Sequence, residues 1–389
     1  MTTRPRLTPA IADVRSAVRE TLISLVPRAT GLLPLPVRNL PGQNLPVRNA
    51  GLGVTPVAGV ASRATSASSS PAFRNYGDGY GDGDVAVLVA LSGGPDSLAL
   101  AAATAFEAAR VGIRAGAIIV DHELQPGSAD VSARAARQAR DLGLDPVIVT
   151  TVTVATLGGP EAAARDARYA ALATAAEQTG ATGILLGHTL DDQAETVLLG
   201  LARGSGLGSI KGMASVSGRY LRPLLSLGRA TTLQFCEDSA LEPWIDPQNE
   251  DDRFARVRVR STVLPMLERE LGPGIAEALA RTALLAREDT EALDQFAADQ
   301  LEELAEPAEA GISLPAAALV ANPAALRQRI IRATVLAEFG VSLSRAHTLE
   351  VAQLATDWHG QDTLTLPGLT ARRRGGLIVF SSTRGLLGR

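Results

Sequence analysis

The stretch Val85–Ser97, VAVLVALSGGPDS, carries the strongest structural signal in this chain of 389 residues. An apolar run rich in valine breaks abruptly into Ser92-Gly93-Gly94-Pro95-Asp96-Ser97, and the helix-prone segment LALAAATAFEAAR follows at once. The succession predicts a buried parallel strand, a tight glycine turn and a helix N-terminus. Adjacent glycines allow backbone N–H groups to close around an anion, and the helix dipole adds positive potential at the same point. Pro95 suits the first helical turn, where its missing N–H is not needed. The loop lacks the Lys-Ser/Thr ending of a Walker A sequence, which argues against an ordinary kinase or GTPase. A Ser-Gly-Gly turn alone could be a plain strand-to-helix link. With the strand before it and Asp96-Ser97 in place, it points to a nucleotide phosphate site.

Outward from this stretch the pattern alternates. Strand-like runs at Val85–Leu91, Ala115–Val120, Pro146–Thr151 and Gly183–Gly187 are followed by alanine-rich helical segments at 97–110, 129–142, 159–179 and 191–202. Such alternation predicts an α/β fold, a doubly wound parallel sheet covered on both faces, with ligands at the carboxyl ends of its strands. Residues 220–225 extend it as a fifth strand and 227–240 as a fifth helix. Leu271-Gly-Pro-Gly274 marks a boundary. Beyond it, residues 275–304 and 323–355 read as long amphipathic helices and 368–380 as a terminal hairpin, giving a second, mostly helical domain. At the other end, Ile11, Val14, Val18, Leu22 and Leu25 recur at helical spacing, predicting a helix within 1–26 that packs on the larger body. Residues 27–83 are rich in Pro, Gly, Ser and Asn, with LPVRN at 35–39 repeated at 45–49, and read as a disordered low-complexity insertion. The expected division is therefore 1–26, 27–83, an α/β domain over 84–248, a linking basic helix over 249–270, and a helical domain over 271–389.

Composition narrows the function. A formal charge of −4 does not suit a general nucleic-acid binder, so RNA contact must come from local basic clusters. Lys211 is the only lysine, leaving nearly all positive charge on arginine, which suits bidentate phosphate contacts. The single cysteine, Cys236, excludes an intramolecular disulfide, a Cys-x-x-Cys pair and a cysteine-rich metal site. No run of about 18 apolar residues is present to span a membrane. With no compact apolar signal core at the N-terminus, a cytoplasmic protein is expected.

Three further segments carry chemistry. VDHELQPGS, residues 120–128, follows the second strand where a nucleotide would lie, although on its own it reads more simply as a capped loop, with Ser128 or Asp130 capping the next helix. EAAARDARY, residues 161–169, places Glu161, Arg165 and Arg168 within two helical turns; the spacing serves a solvated Glu–Arg pair or a guanidinium reaching a phosphate or carboxylate. GHTLDDQAET, residues 187–196, ends the fourth strand and opens a helix. Thr189 with Asp192 has the form of a capping box, but capping does not call for Asp191, Asp192 and Glu195 together. Hard carboxylate oxygens beside a phosphate loop are what Mg²⁺ needs, and Asp96, Asp192 and Glu195 are its expected ligands. Downstream come Arg203-Gly-Ser-Gly206, Arg222-Pro-Leu-Leu225 and WIDPQN from Trp244. Then Arg253, Arg256, Arg258 and Arg260 fall within eight residues, a solvated face or a contact for an RNA backbone that Arg203 would extend.

The Ser92–Ser97 loop resembles the SGGxDS loop of the PP-loop ATP pyrophosphatases. The collinear set SGGPDS, VDHELQPGSA, EAAARDARY, GHTLDDQAET, RGSG, RPLL and WIDPQN resembles the tRNA(Ile)-lysidine synthetases, specifically from Asp84 to about Glu270 and more weakly beyond. Glu123 stands where that family usually has a small residue, and Val257 where asparagine commonly follows the arginine. The 27–83 segment is unlike the family norm, and the large C-terminal domain of longer members is expected to be absent or reduced. The resemblance implies that ATP adenylates the carbonyl oxygen at carbon 2 of the wobble cytidine in a CAU-anticodon isoleucine tRNA. The ε-amine of free L-lysine then attacks that carbon and AMP leaves, forming lysidine. It implies ATP binding by Ser92, Gly93, Gly94, Pro95, Asp96, Ser97 and His122. The expected catalytic groups are Asp96, Asp191, Asp192, Glu195, Arg165 and Arg168. A carboxylate of the acidic group would alternatively bind the lysine ammonium or accept its proton, and Arg165 or Arg168 would steady the adenylate phosphate. The helical domain is expected to bind tRNA. Oligomeric state stays open, a homodimer included.

Related readings fit less well. A tRNA thiolase generally uses paired cysteines, and this chain has one. NAD and GMP synthetases lack RGSG and WIDPQN, and a nucleotide-binding regulator would need neither the acidic triplet nor a second domain.

Overall fold

The computed structural model describes residues 7–25, 73–75, 86–123, 127–152, 160–204, 206–308 and 311–383. They fall into two units, one reaching Ala283 and the other beginning at Leu284.

In the first unit the alternation folds into a seven-stranded sheet. Its strands are β1 (Phe73–Asn75), β2 (Val87–Ala90), β3 (Ala115–Asp121), β4 (Val147–Thr151), β5 (Gly183–Leu185), β6 (Val216–Ser217) and β7 (Tyr220–Leu221). The order is β1-β4-β3-β2-β5-β7-β6, with β4, β3, β2, β5 and β7 mutually parallel and β1 and β6 antiparallel at the edges. The chain winds outward from β2 through β3 to β4, then returns to place β5 on the other flank of β2. That reversal is a topological switch point, the place where open α/β sheets bind ligands, and the loops after β2 and β5 lie side by side there.

Both faces of the central strands are covered, which is why they read as continuous apolar runs rather than alternating ones. Leu88, Ile118, Ile148 and Ile184 pack against Leu172, Ala175 and Ala176 of the helix Pro160–Thr179. Val87, Val89, Ala117 and Ile119 face the opposite way, in a cluster with Leu98 and Leu100 from the helix Pro95–Val111. The N-terminal helix, Pro9–Ile23, adds Ile11, Val14, Val18 and Leu22 to that cluster, as its spacing predicts. It is also fastened by charge: the fully buried Glu107 accepts from Arg15 Nε at 2.7 Å and from Arg19 Nε at 2.7 Å. Burial opposes ionisation of Glu107, but the hydrogen bonds from Arg19 and Arg15 outweigh it and hold this carboxyl below the usual range.

The fifth strand is shorter than residues 220–225, because Arg222 leads into Pro223, which has no N–H to continue a ladder. The helix after it runs Arg229–Asp238. Most of the 27–83 insertion lies outside the described residues; within it, Phe73–Asn75 pairs antiparallel with β4 as an edge strand.

In the second unit, the expectation of helices with one terminal hairpin needs correction. A five-stranded antiparallel sheet is present, in the order β10-β11-β12-β9-β8. It comprises β8 (Glu306–Ala308), β9 (Gly311–Pro315), β10 (Leu364–Leu366), β11 (Leu369–Arg374) and β12 (Leu377–Ser382). The predicted hairpin is its β11–β12 pair. Nor do residues 323–355 form one helix. Gly340 takes φ +64°, a left-handed helix stop that disfavours any residue with a Cβ, and separates Ala324–Phe339 from Arg345–Thr356. These helices bury Ile330, Ile331, Val335, Val351 and Leu354 against Leu314, Ile378 and Phe380 of the sheet. The helix Ile275–Leu304 is continuous, as expected.

Candidate active site

The phosphate loop sits at the carboxyl end of β2. Ser97 Oγ donates to Gly94 O at 3.0 Å, lies 3.0 Å from Ser92 Oγ and accepts from Ser92 N at 3.2 Å, so the two serines lock the turn from inside. Trp244 N donates to Gly93 O at 2.9 Å, giving the WIDPQN segment a mechanical role: its main chain braces the glycine turn. Cys236 lies below the loop with Sγ 3.5 Å from Pro95 O, and burial pushes its thiol up to about 11. A thiol held so far from ionisation is not a nucleophile.

The second loop, after β5, is pressed onto the first. A Cβ on Gly187 would meet Ser97 N at 3.1 Å and Asp96 O at 3.2 Å, closer than most side chains approach, so a larger residue would push the two loops apart by a few tenths of an ångström. Thr189 then caps the helix Leu190–Ala202 in a full capping box with Asp192. Asp192 Oδ2 accepts from Thr189 N at 2.9 Å and from Thr189 Oγ1 at 3.1 Å. Capping and charge are therefore both served by one side chain, which uses Oδ2 for the cap and turns Oδ1 to the crevice.

Asp96 divides its oxygens similarly. Oδ1 accepts a short hydrogen bond from Thr232 Oγ1, and Oδ2 lies 3.4 Å from Arg229 Nε. Arg229 Nη2 reaches Asp192 Oδ1 at 3.5 Å, so one guanidinium faces the open oxygen of each carboxylate. Asp191 points elsewhere: its Oδ2 accepts from Arg229 N at 2.7 Å and caps the helix Arg229–Asp238. Burial raises Asp96, against the pull of Arg229 and Thr232. Burial acts on Asp192 too, but the Thr189 N–H and the charges of Arg229, His188 and Arg260 outweigh it and hold it below the usual carboxylate range.

Glu195 is wholly buried and clasped by Arg260, with Nε–Oε1 at 2.6 Å and Nη2–Oε2 at 3.1 Å; Arg256 Nε stands 3.4 Å from Oε2. Arg260 Nη2 also lies 3.4 Å from Asp192 Oδ1. The four-arginine segment is thus divided. Arg256 and Arg260 face inward to the acids, whereas Arg253 pairs with Asp251 at 2.6 Å and Arg258 donates to the carbonyls of Asp252 and Arg253. Arg203 is exposed and donates to Leu199 O at 2.9 Å.

Across the crevice Arg168 is largely withdrawn from solvent. Burial first, then the like charges of Arg165 and Arg256, lower its pKa. Neither Arg165 nor Arg168 forms a salt bridge among the described residues; both guanidinium groups lie over the Tyr169 ring, at 5.1 and 5.8 Å from its centroid. Burial with Arg168 nearby also lowers His122. His188 is held at about 4 by burial, despite Asp192, and its Nδ1 has no hydrogen-bond partner among the described residues. Glu123 takes φ +51° with its N–H on Asp121 Oδ1 at 3.0 Å, a left-handed position that glycine or asparagine adopts more readily than glutamate.

As for Mg²⁺, among the described residues no group of three or more His, Cys, Asp or Glu side chains is assembled to hold a metal by protein ligands alone. Asp96 Oδ2 and Asp192 Oδ1 nonetheless both lie within 3.5 Å of the Arg229 guanidinium, and Mg²⁺ is usually held by one or two carboxylates together with substrate phosphates. Glu195, both oxygens engaged by Arg260, is not presented in that way.

Comparison with known proteins agrees with this geometry. A family model described as a PP-loop domain matches residues 68–267, and one described as the TilS substrate binding domain matches residues 314–378. The tRNA(Ile)-lysidine synthase of Leifsonia xyli subsp. xyli is 63% identical over 295 residues, covering 76% of this chain and 89% of that one. The chain belongs to the tRNA(Ile)-lysidine synthase family. The tRNA(Ile)-lysidine synthase of Streptomyces coelicolor is 52% identical over 305 residues, with 76% of this chain and 84% of that one covered. Among solved structures, a U34-tRNA thiolase NcsA from Methanococcus maripaludis aligns at 19% identity and a TM-score of 0.44, covering 51% of this chain and 71% of that one. As in the rest of the tRNA(Ile)-lysidine synthase family, ATP use resides in the PP-loop domain, whose match contains both loops of the crevice.

His188 lies within the GHTLDDQAET motif but has no assigned role in the sequence pattern, and neither Arg229 nor Thr232 belongs to any of the motifs. Arg229 carried one local signal, the glycine before it that marks a helix start. Its meeting with Asp96 depends on contacts far apart in the chain.

Proposed function

We propose that this protein uses ATP to join free L-lysine to carbon 2 of the wobble cytidine in the CAU-anticodon isoleucine tRNA, releasing pyrophosphate and AMP. One observation carries the proposal: in a chain of this family, the glycine loop after β2 and the acidic helix start after β5 are in contact and share one guanidinium, Arg229, through Asp96 Oδ2 and Asp192 Oδ1.

The cytidine O2 attacks the α-phosphorus of ATP and pyrophosphate leaves into the Ser92–Ser97 loop, where backbone N–H groups at a helix N-terminus receive it. Asp96 and Asp192 would hold Mg²⁺, which when bound offsets the charge gathering on the phosphate oxygens. Arg165 and Arg168 meet the adenylate phosphate: two neighbouring like charges, Arg168 largely withdrawn from solvent and neither salt-bridged among the described residues, call for an anion. The lysine ε-amine, neutral when it attacks, adds to carbon 2; the C–O bond to the adenylate breaks, AMP departs and the amine loses a proton. His188 remains neutral at physiological pH and offers its free Nδ1 as a hydrogen-bond group. Glu195 acts through Arg260, fixing that guanidinium beside Asp192. No side chain becomes covalently modified.

Arg203, Arg253 and Arg258 remain at the surface, where they suit tRNA phosphates, and the unit from Leu284 adds further tRNA contact. No helix of the described residues is long and apolar enough to cross a membrane. Together with substrates that are free lysine, ATP and tRNA, this suits the cytoplasm.

The deciding experiment is ATP-dependent incorporation of labelled lysine into total tRNA, with release of pyrophosphate. Asp96→Asn is expected to lower the adenylation rate about 10²-fold, the scale of one lost preorganised electrostatic contact. A folded Asp96→Asn protein with a near-normal rate would refute the site.

A further inference from the structure

The arrangement of Arg229 raises a question that the reaction alone does not answer. Its guanidinium lies against Asp96 Oδ2 and Asp192 Oδ1, the oxygens not taken by Thr232 and Thr189, and of the two basic groups at Asp192 Oδ1, Arg229 and Arg260, Arg229 alone also reaches Asp96. The side chains of Asp96 and Asp192 are only 17% and 12% exposed, so without a cation between them their charges would repel at close quarters.

We infer that Arg229 is a built-in counter-cation for this pair, displaced by the divalent cation that arrives with ATP. The inference rests on the reading that Asp96 and Asp192 hold Mg²⁺. Its grip is loose. The contacts of 3.4 and 3.5 Å exceed the roughly 2.7–2.9 Å of a charge-assisted hydrogen bond, whereas Arg260 reaches Glu195 at 2.6 Å. The main chain of Arg229 is firmly tied by Asp191 Oδ2 at 2.7 Å, so the side chain can swing while its helix stays in place. A Mg²⁺ ion shared by these two oxygens would take the place that the guanidinium now occupies. Once displaced, the guanidinium is still anchored beside the phosphate loop, and its planar fork suits a phosphate of the bound nucleotide. Metal and nucleotide binding are thereby coupled: without nucleotide phosphates to receive Arg229, a divalent cation must compete with it for the carboxylates.

The test is titration of the full-length protein with Mn²⁺, reading free Mn²⁺ by electron paramagnetic resonance, with and without a non-hydrolysable ATP analogue. Arg229→Gln is expected to tighten nucleotide-free Mn²⁺ binding about 10-fold, within the usual span of coupling between two ligands, and to shrink the enhancement that the nucleotide gives. A merely structural arginine would not produce tighter binding on its removal, so unchanged or weaker nucleotide-free binding in the folded variant overturns the inference. Should Arg229→Gln not fold, Arg229→Lys keeps the charge and loses the fork. Its nucleotide-free binding should then match the wild type while the nucleotide's enhancement falls, and full enhancement counts against the inference. Asp192→Asn separates the two readings. If it leaves Mn²⁺ binding with nucleotide intact, the metal reading fails and the Arg229 role with it. If it abolishes that binding while Arg229→Gln changes nothing, the role of Arg229 alone fails.

Discussion

Arg260 clasps the wholly buried Glu195 through two hydrogen bonds, Nε–Oε1 at 2.6 Å and Nη2–Oε2 at 3.1 Å, and the same guanidinium stands 3.4 Å from Asp192. Glu195→Gln keeps the shape and removes the charge. Truncating one partner of a buried pair costs 3–5 kcal/mol; because Arg260 retains 26% exposure, about 2 kcal/mol is expected here. Lysine incorporation should fall at least roughly 10-fold as Arg260 loses its fixed place. Thermal melts and single-turnover incorporation check both parts, and an undiminished rate in a destabilised variant would limit Glu195 to structure.

His188 offers a pH test. Burial holds its imidazole at about 4, against an ordinary value of 6.5, so between those values the unfolded chain takes up a proton that the folded one refuses. The native state should lose stability as pH falls from 6.5 towards 4, and His188→Asn should flatten that part of the curve. Histidine-selective NMR titration is the direct measurement; an imidazole at position 188 titrating near its ordinary value would contradict the assignment.

Glu107 carries the opposite sign. Its carboxyl is held below the usual range by Arg19 and Arg15 in spite of burial, so its contribution is present above the ordinary glutamate value and fades as pH falls through the lowered one. Glu107→Gln is expected to cost roughly 2 kcal/mol at neutral pH, the scale for hydrogen bonds to a charged group, and less in acid. Equal destabilisation at pH 7 and pH 3, measured by urea unfolding, would show that charge is irrelevant at this contact.

For the tRNA, the exposed Arg203 gives a clean readout. Arg203→Ala should weaken tRNA binding and reduce the slope of log affinity against log salt by about 1, with ATP binding unchanged. An unaltered slope in filter-binding assays would remove Arg203 from the interface.

What could be read in the sequence was whatever local chemistry determines. The glycine turn at Ser92–Ser97, the capping form of Thr189 with Asp192 and the amphipathic face of Pro9–Ile23 each follow from neighbours within a turn or two. Arg229 and Thr232 were invisible because they meet Asp96 from more than a hundred residues away. The segment from Arg253 to Arg260 read as one basic stripe, yet Arg256 and Arg260 lie four apart on one side and answer the buried demand of Glu195. The acids carried that clue themselves, since a fully buried glutamate requires a counter-charge. In the unit from Leu284, β8 and β9 are short and sit beside Pro307 and Gly311, too brief for periodicity to register.

The missing side chain at Gly187 has a bearing beyond the packing it permits. Because the backbone after β5 rests directly on the backbone of Asp96 and Ser97, the spacing between the phosphate end and the acidic end of the crevice is set by main chain alone. The two loops are in effect one part made from two stretches of chain. Anyone grafting the site onto another sheet would have to carry both together, along with the strand separation that brings them into touch.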